Sequence, residues 1–192
     1  MGSLVALSAA IERRDPYTLG HSARVTAIAQ ALAERMLCDL GERDAIALGG
    51  PLHDIGKLTI PDEVLLKPGR LDEHELAQIR EHPEAGARML RGVPTLAPAL
   101  PCVLHHHERW DGGGYPHGLA GDAIPRTARI LAVADAFDAM TSTRPYRAAL
   151  PIDAALAEVA RCAGTQFDPQ AAGALVEAWG AGELMPQVAE AV

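Results

Sequence analysis

Aromatic side chains are scarce in this chain of 192 residues, which has two Trp, three Tyr and two Phe. Leu, Ala, Val and Ile must therefore fill any core, and a hydrophobic content of 48% supplies enough of them for one domain. Cysteine is also sparse. Cys38, Cys102 and Cys162 are odd in number, widely spaced and not in CxxC pairs, which excludes a disulfide framework and a zinc knuckle. They read as small buried hydrophobes in a reducing compartment. No apolar run is long enough to span a bilayer, and no secretory signal is visible. The expectation is a cytoplasmic protein without membrane insertion. Basic residues are outnumbered, with 17 Lys and Arg against 25 Asp and Glu and a formal charge of -8. That balance argues against polymeric nucleic acid as a ligand. A small phosphorylated ligand remains compatible, because Lys57, Arg109, Arg144 and Arg147 can form a local positive pocket. Strand alternation, internal repeats and low-complexity segments are all lacking.

Helical periodicity is what the chain does contain. His21, Val25, Ile28 and Leu32 fall at spacings of four, three and four, one face of a helix over 21–38. A second apolar helix is predicted over 42–55, shortened or kinked by Pro51 and stopped by Gly56. Pro61 suits a short helical turn, and 67–69 a loop. Residues 72–81 read as a charged surface helix with Leu76 and Ile79 inward. His82 before Pro83 suits a helix start. Residues 94–107 read as a helix that delivers a His run at its end, followed by a glycine-rich loop over 112–121. A helix over 125–141 places Ile130, Val133, Ala134 and Phe137 on its core face, and two more occupy 151–179. The whole is an all-α domain, expected to be single over 1–192.

The chemistry gathers in short strings. HDIGK (53–57) holds an adjacent imidazole and carboxylate, a pair able to bind two metal ions when the carboxylate bridges them. HHERWDGGGYP (106–116) adds two more imidazoles, and VADAFDAMTSTRPYR (133–147) adds Asp135 and two arginines. With His21 and His82, the candidate ligands are His21, His53, Asp54, His82, His106, His107 and Asp135. Mixed imidazole and carboxylate donors suit iron, manganese, zinc or nickel better than calcium. Asp138, one helical turn beyond Asp135, is placed to orient a ligand, a water or Lys57. Gly112, Gly113 and Gly114 permit close backbone approach. Tyr115 is positioned to wall a pocket or pack on a base, and Trp110 to pack in the core. His74 and His117 read as surface residues, and His105 as part of a solvated helix end.

These strings resemble the HD-GYP subgroup of the HD-domain metal-dependent phosphohydrolases. RDPYTLGHSARV (14–25), HPEAG (82–86) and GTQFDP (164–169) agree with further family motifs in the same order, so the likeness runs over about 8–178. The resemblance implies a helical bundle of about seven helices with a glycine-rich GYP loop. It implies a phosphodiesterase that opens cyclic di-GMP to pGpG and in some members continues to GMP, in bacterial signal transduction. A related cyclic dinucleotide such as cyclic GMP-AMP is the alternative substrate. A weakly catalytic module that binds diguanylate cyclase domains is a third reading, and a homodimer is compatible with all three. By the same resemblance Asp54 bridges two cations. His21, His53 and Asp135 complete one set, and His82, His106 and His107 the other. Iron or manganese is expected, with zinc, nickel or magnesium as alternatives. Lys57 matches the motif lysine beside the scissile phosphate. Arg144 and Arg147 match the pair that clamps the second phosphate, while Tyr115 and Gly114 line the substrate. Where some members carry a third-metal glutamate, this chain has Tyr17, so two cations are expected. Pro51 departs from the larger apolar residues usual before the doublet. The resemblance also implies a receiver or sensor domain, in the same chain or acting in trans.

Overall fold

The computed structural model describes residues 12–14, 19–143 and 148–184. A short helical turn covers 12–14. Nine α-helices have both ends among the described residues: α1 (His21–Arg35), α2 (Leu40–Gly49), α3 (Asp62–Leu65), α4 (Glu73–Arg80), α5 (His82–Leu90), α6 (Leu100–His105), α7 (Arg126–Thr141), α8 (Ile152–Arg161) and α9 (Pro169–Gly180). Seven of them have eight residues or more, in keeping with the expected helical bundle. No strand forms among the described residues, only isolated bridges between Asp111 and Ala120 and between Ala163 and Phe167.

Aliphatic stripes decide how the helices pack. Val25, Ile28, Ala29 and Leu32 of α1 meet Ile130, Leu131, Ala134 and Phe137 of α7, and Val159 of α8 and Leu175 of α9 close the same cluster. Each of these side chains is buried. Burying one such residue contributes roughly 1.5–3 kcal/mol, so the α1–α7 pair forms a rigid spine. Its inner faces carry His21 and Asp135. A smaller cluster of Leu52, Ile55, Leu90 and Val103 lies beneath the HDIGK turn. All three cysteines are free and buried. Burial pushes the Cys102 thiol up to about 12, as expected of an inert small hydrophobe.

Local sequence explains the helix ends. Asp39 with Glu42 and Asp72 with Glu75 form capping boxes that start α2 and α4. Asp168 caps α9, accepting from the Gln170 N–H, and Pro169 occupies its first turn.

Four expectations need correction. The helix predicted over 42–55 ends at Gly49, and Pro51 sits in a 3-10 turn, Gly50–Leu52. His53 and Asp54 therefore stand between two tight turns, the second being Ile55–Thr59. Gly56 does not stop a helix. It lies inside that second turn, where a Cβ would collide with the His82 carbonyl, so its role is close approach to α5. The segment 94–107 is not one helix. Pro94–Ala99 is a 3-10 turn and only Leu100–His105 is α, because Pro98 and Pro101 each remove a backbone donor. Leu76 points outward, and α4 buries none of its residues fully.

No helix among the described residues is long and apolar enough to cross a membrane.

Candidate metal centre

Five separate segments bring their polar side chains to one seam. The start of α1 supplies His21, the turn after α2 supplies His53 and Asp54, and the start of α5 supplies His82. The residues after α6 supply His106 and His107, and α7 supplies Asp135. His21, His53, Asp54, His82 and His106 are all buried. Two groups form within the seam, His21 with His53 and Asp54, and His82, His106 and His107 with Asp54. Asp54 belongs to both. Its Oδ2 lies 3.5 Å from His53 Nε2, and its Oδ1 lies 3.3 Å from His82 Nε2 and 4.0 Å from His106 Nε2. One carboxylate oxygen thus faces each group. Asp135 joins the first through Oδ1, 3.2 Å from His21 Nε2.

The outer ring nitrogens explain why the inner ones converge. His53 Nδ1 is 2.7 Å from the Gly50 carbonyl, and His82 Nδ1 is 2.7 Å from the Ile79 carbonyl. His106 Nδ1 is 3.1 Å from the carbonyls of both Cys102 and Val103. A carbonyl only accepts, so each Nδ1 carries the proton and donates. Each Nε2 then presents a lone pair inward, the arrangement of metal-ligating histidines. His21 reaches the same result differently, donating from Nδ1 to Asp138 Oδ2 at 2.7 Å. Asp138 thereby fixes the orientation of the His21 ring. Arg24 holds that carboxylate from the other side at 2.7 and 3.1 Å. His107 is held by packing, stacked on Tyr115 with ring centroids 4.8 Å apart.

The donor set fits a divalent cation. His53 Nε2 is buried without a hydrogen-bond partner. His82 Nε2 and His106 Nε2, both stripped of their proton by the Nδ1 contacts, stand 3.3 Å apart. Facing lone pairs repel and call for a positive centre between them. The electrostatics agree. Burial, joined by neighbouring imidazoles, holds His106 well below its ordinary pKa, and burial takes His107 to about 4. Burial likewise lowers His82. Burial pushes the Asp54 carboxyl up, but Lys57 and the facing imidazoles together hold it well below the usual range. Asp135 is lowered in the same way by His21, against its burial. His21 is the exception. Burial lowers it, yet its hydrogen bonds to the Asp135 and Asp138 carboxylates raise it to about 9. A proton and a cation compete there for one Nε2 lone pair, and the two carboxylates attract either.

A cavity of about 340 Å³ opens beside the seam, lined among others by Arg80, His107, Tyr115, Asp135, Gln166 and Phe167. A larger and more open groove of about 630 Å³ runs along α1, but no imidazole lines it. The smaller one is the one that the seam's His106, His107 and Asp135 line. Lys57 Nζ contacts Asp54 Oδ2 at 2.6 Å at the edge of the seam. Tyr115 and Gly114 line the cavity, and a Cβ at Gly114 would collide with the Arg109 amide and the His107 carbonyl. Arg144, Arg147 and Tyr17 lie outside the described residues. Arg109 lines the cavity but is engaged by Asp111 at 2.6 Å. Trp110 is half-buried beneath the Arg129 guanidinium, outside the core clusters.

Sequence reasoning missed four residues. Glu12 accepts from the backbone N–H of Gly20 and Ser22, at 2.8 and 3.0 Å, and so fixes the start of α1 under His21. Arg24 locks Asp138. Glu108 is buried and accepts from the N–H of His117 and Leu119, at 2.8 and 3.0 Å, holding the glycine-rich loop. Arg80 lies 5.6 Å over the Tyr115 ring. Only Arg24 carried a readable signal, its i,i+3 spacing from His21 on one helix. The loop is also tied to the GTQFDP string, with Trp110 N–H donating to the Gln166 carbonyl and Asp111 N–H to that of Thr165.

An all-helical domain that converges imidazoles and carboxylates on one shared aspartate belongs to a recognisable class. A family model described as "HD domain" matches residues 6–171, and the chain belongs to the HD-domain family. It is 45% identical over 176 residues to the cyclic di-GMP phosphodiesterase response regulator RpfG of Xanthomonas campestris pv. campestris, covering 91% of this chain and 47% of that protein. It is 37% identical over 175 residues to 3'3'-cGAMP-specific phosphodiesterase 3 of Vibrio cholerae, covering 91% and 38%. A crystal structure of a cyclic GMP-AMP phosphodiesterase of V. cholerae, V-cGAP3, shares the fold with a TM-score of 0.72 at 19% identity, over 96% of this chain and 50% of that one. The chain spans about half or less of the length of these relatives.

Proposed function

We propose that this chain is a two-cation phosphodiesterase domain that opens cyclic di-GMP to linear pGpG, with iron or manganese as its metal. The observation that carries the reading is Asp54, whose two oxygens face two separate imidazole groups. His21, His53 and Asp135 would complete one cation's ligands and His82, His106 and His107 the other's. Bound there, such ions supply Lewis acidity toward a phosphoryl oxygen and a water of lowered pKa.

The chain's own groups do the rest. Nδ1 contacts fix four of the five imidazoles before any ligand arrives, so little reorganisation is needed at the moment of reaction. Lys57 places an ammonium beside Asp54, where it neutralises charge growing on the phosphoryl or departing oxygen. Tyr115 and Gly114 wall the cavity that receives the nucleotide. Arg80 lines the same cavity and has no carboxylate partner among the described residues, so it joins Arg144 and Arg147 as a cation for the second phosphate.

Several of the similar proteins are named for cyclic di-GMP and others for 3'3'-cGAMP. Cyclic di-GMP is favoured because the relatives named for it reach 45% identity, against 38% for the cGAMP-specific ones. The test is turnover of both compounds by protein purified with manganese or iron, with products separated by chromatography. Linear pGpG from cyclic di-GMP, formed faster than the cGAMP product, supports the reading. A preference for cGAMP overturns the substrate assignment, and no cleavage of either compound overturns the activity.

A further inference from the structure

Beside the seam lies a second cluster of potential ligands, of which Glu108 also lines the cavity and holds the glycine-rich loop. His105 ends α6, Glu108 follows it by one turn, and His117 returns from the far side of the glycine-rich loop. One ligand atom from each lies within 4.8 Å of the others. The Glu108 side chain is fully buried and His105 is 14% exposed, while His117 is 46% exposed. His105 Nδ1 is buried with no hydrogen-bond partner, and the carboxylate atom nearest it is Glu108 Oε1, at 3.7 Å. The His105 and His117 rings are 5.3 Å apart. Glu108 accepts a backbone N–H on each oxygen, which leaves each a further lone pair. Glu84 adds acidic charge at the rim, its Oε1 3.8 Å from His117 Nε2.

We propose that His105, Glu108 and His117 form a peripheral site for a borderline divalent cation of the zinc type, separate from the cluster around Asp54. Two imidazoles and one carboxylate with water in a fourth position is a common zinc environment. Ligands at about 2.1 Å in tetrahedral geometry stand roughly 3.5 Å apart. The gap left to close is small, and the half-exposed His117 is free to close it by rotating. Glu108 is pinned by its two N–H contacts, so the site has one rigid anchor.

The consequence is mechanical. His105 immediately precedes His106 and His107, and His117 follows Tyr115 and Pro116. An ion there clasps the loop that walls the cavity to the turn that carries two of the seam's imidazoles. It makes the loop harder to open without touching the reacting atoms.

The test compares the wild-type protein with His117→Ala, Asp54→Ala and the double variant, each equilibrated with the same micromolar Zn²⁺ and analysed for bound zinc. Wild type should hold one equivalent more than His117→Ala. Asp54→Ala should keep that equivalent, and the double variant should lose it. Wild-type crystals should show anomalous density among the three side chains at the zinc edge. Cleavage of the 112–120 loop by protease should slow severalfold with zinc in wild type and not in His117→Ala. His117 is half-exposed and outside the seam, so His117→Ala should fold normally by circular dichroism. Equal zinc content in wild type and His117→Ala overturns the proposal, as does loss of the equivalent from Asp54→Ala alone. Neither result bears on the activity at Asp54.

Discussion

The imidazoles of the histidine seam rest on two kinds of anchor. His53, His82 and His106 donate their outer N–H to backbone carbonyls, whereas His21 donates to the Asp138 carboxylate, itself clamped by Arg24. A carbonyl is neutral and set by the helix or turn that bears it. A carboxylate is charged, makes the imidazole more basic, and depends on a residue 117 positions away. Burial lowers the carbonyl-anchored His82 and His106, while the charged anchor contributes to raising His21 to about 9. His53, His82 and His106 are therefore held by main-chain architecture that no single side chain removes. His21 is held by a side-chain relay that one substitution can cut.

That contrast can be broken or sharpened by experiment. Among substitutions that leave every proposed ligand in place, the largest effect on turnover is expected from Lys57→Ala, which touches neither anchor. Loss of one preorganised charge contact should lower kcat by about 10²–10³, on the order of 3 kcal/mol, with metal content unchanged. A drop in bound metal would show that Lys57 holds the seam rather than the transition state. Asp138→Asn should cost about 10–100-fold in affinity for one cation. The other cation, among His82, His106 and His107, should stay. Equal loss of both would erase the distinction between the anchors.

The smallest effect is in the metal-stripped protein, where His107 and His21, on opposite sides of Asp54, should respond to pH with opposite sign. His107, held at about 4 when folded, stays neutral while the unfolded chain takes up a proton near its ordinary value of about 6.5. Acid below that value therefore costs stability. His21, raised to about 9, stabilises fully below about 6.5, and that contribution is lost as pH rises through 9. Thermal melting in chelator should thus show a mid-range maximum, and His21→Gln should remove the alkaline fall while leaving the acid one. A melting temperature flat from pH 4 to pH 9.5 would contradict this.

Much of the seam was legible in the primary structure because most of its imidazoles sit at element boundaries marked by strong signals. His21 rides the apolar stripe of α1, His82 precedes Pro83, and His106 and His107 precede the glycine run. Periodicity found α1 and α7 for the same reason. It misread 94–107 because Leu96, Leu100 and Val103 keep an apolar rhythm across Pro98 and Pro101, which break the backbone. Leu76 misled because a stripe on a short charged helix was assumed to have something to pack against. The anchors were hidden for a deeper reason. The carbonyls of Gly50, Ile79 and Cys102 carry no side-chain signature. Glu12 and Glu108 bind backbone N–H groups, which every residue but proline offers. Arg24 and Asp138 meet across 114 positions, a distance only the packed α1–α7 spine closes.

The most direct test of the account is the number and position of cations around Asp54, read by anomalous diffraction from anaerobically grown crystals containing manganese or iron. The account predicts two ions, one on each side of the Asp54 carboxylate, the first among His21, His53 and Asp135 and the second among His82, His106 and His107, both lost in Asp54→Ala. A single ion, or two that do not share Asp54, would contradict it.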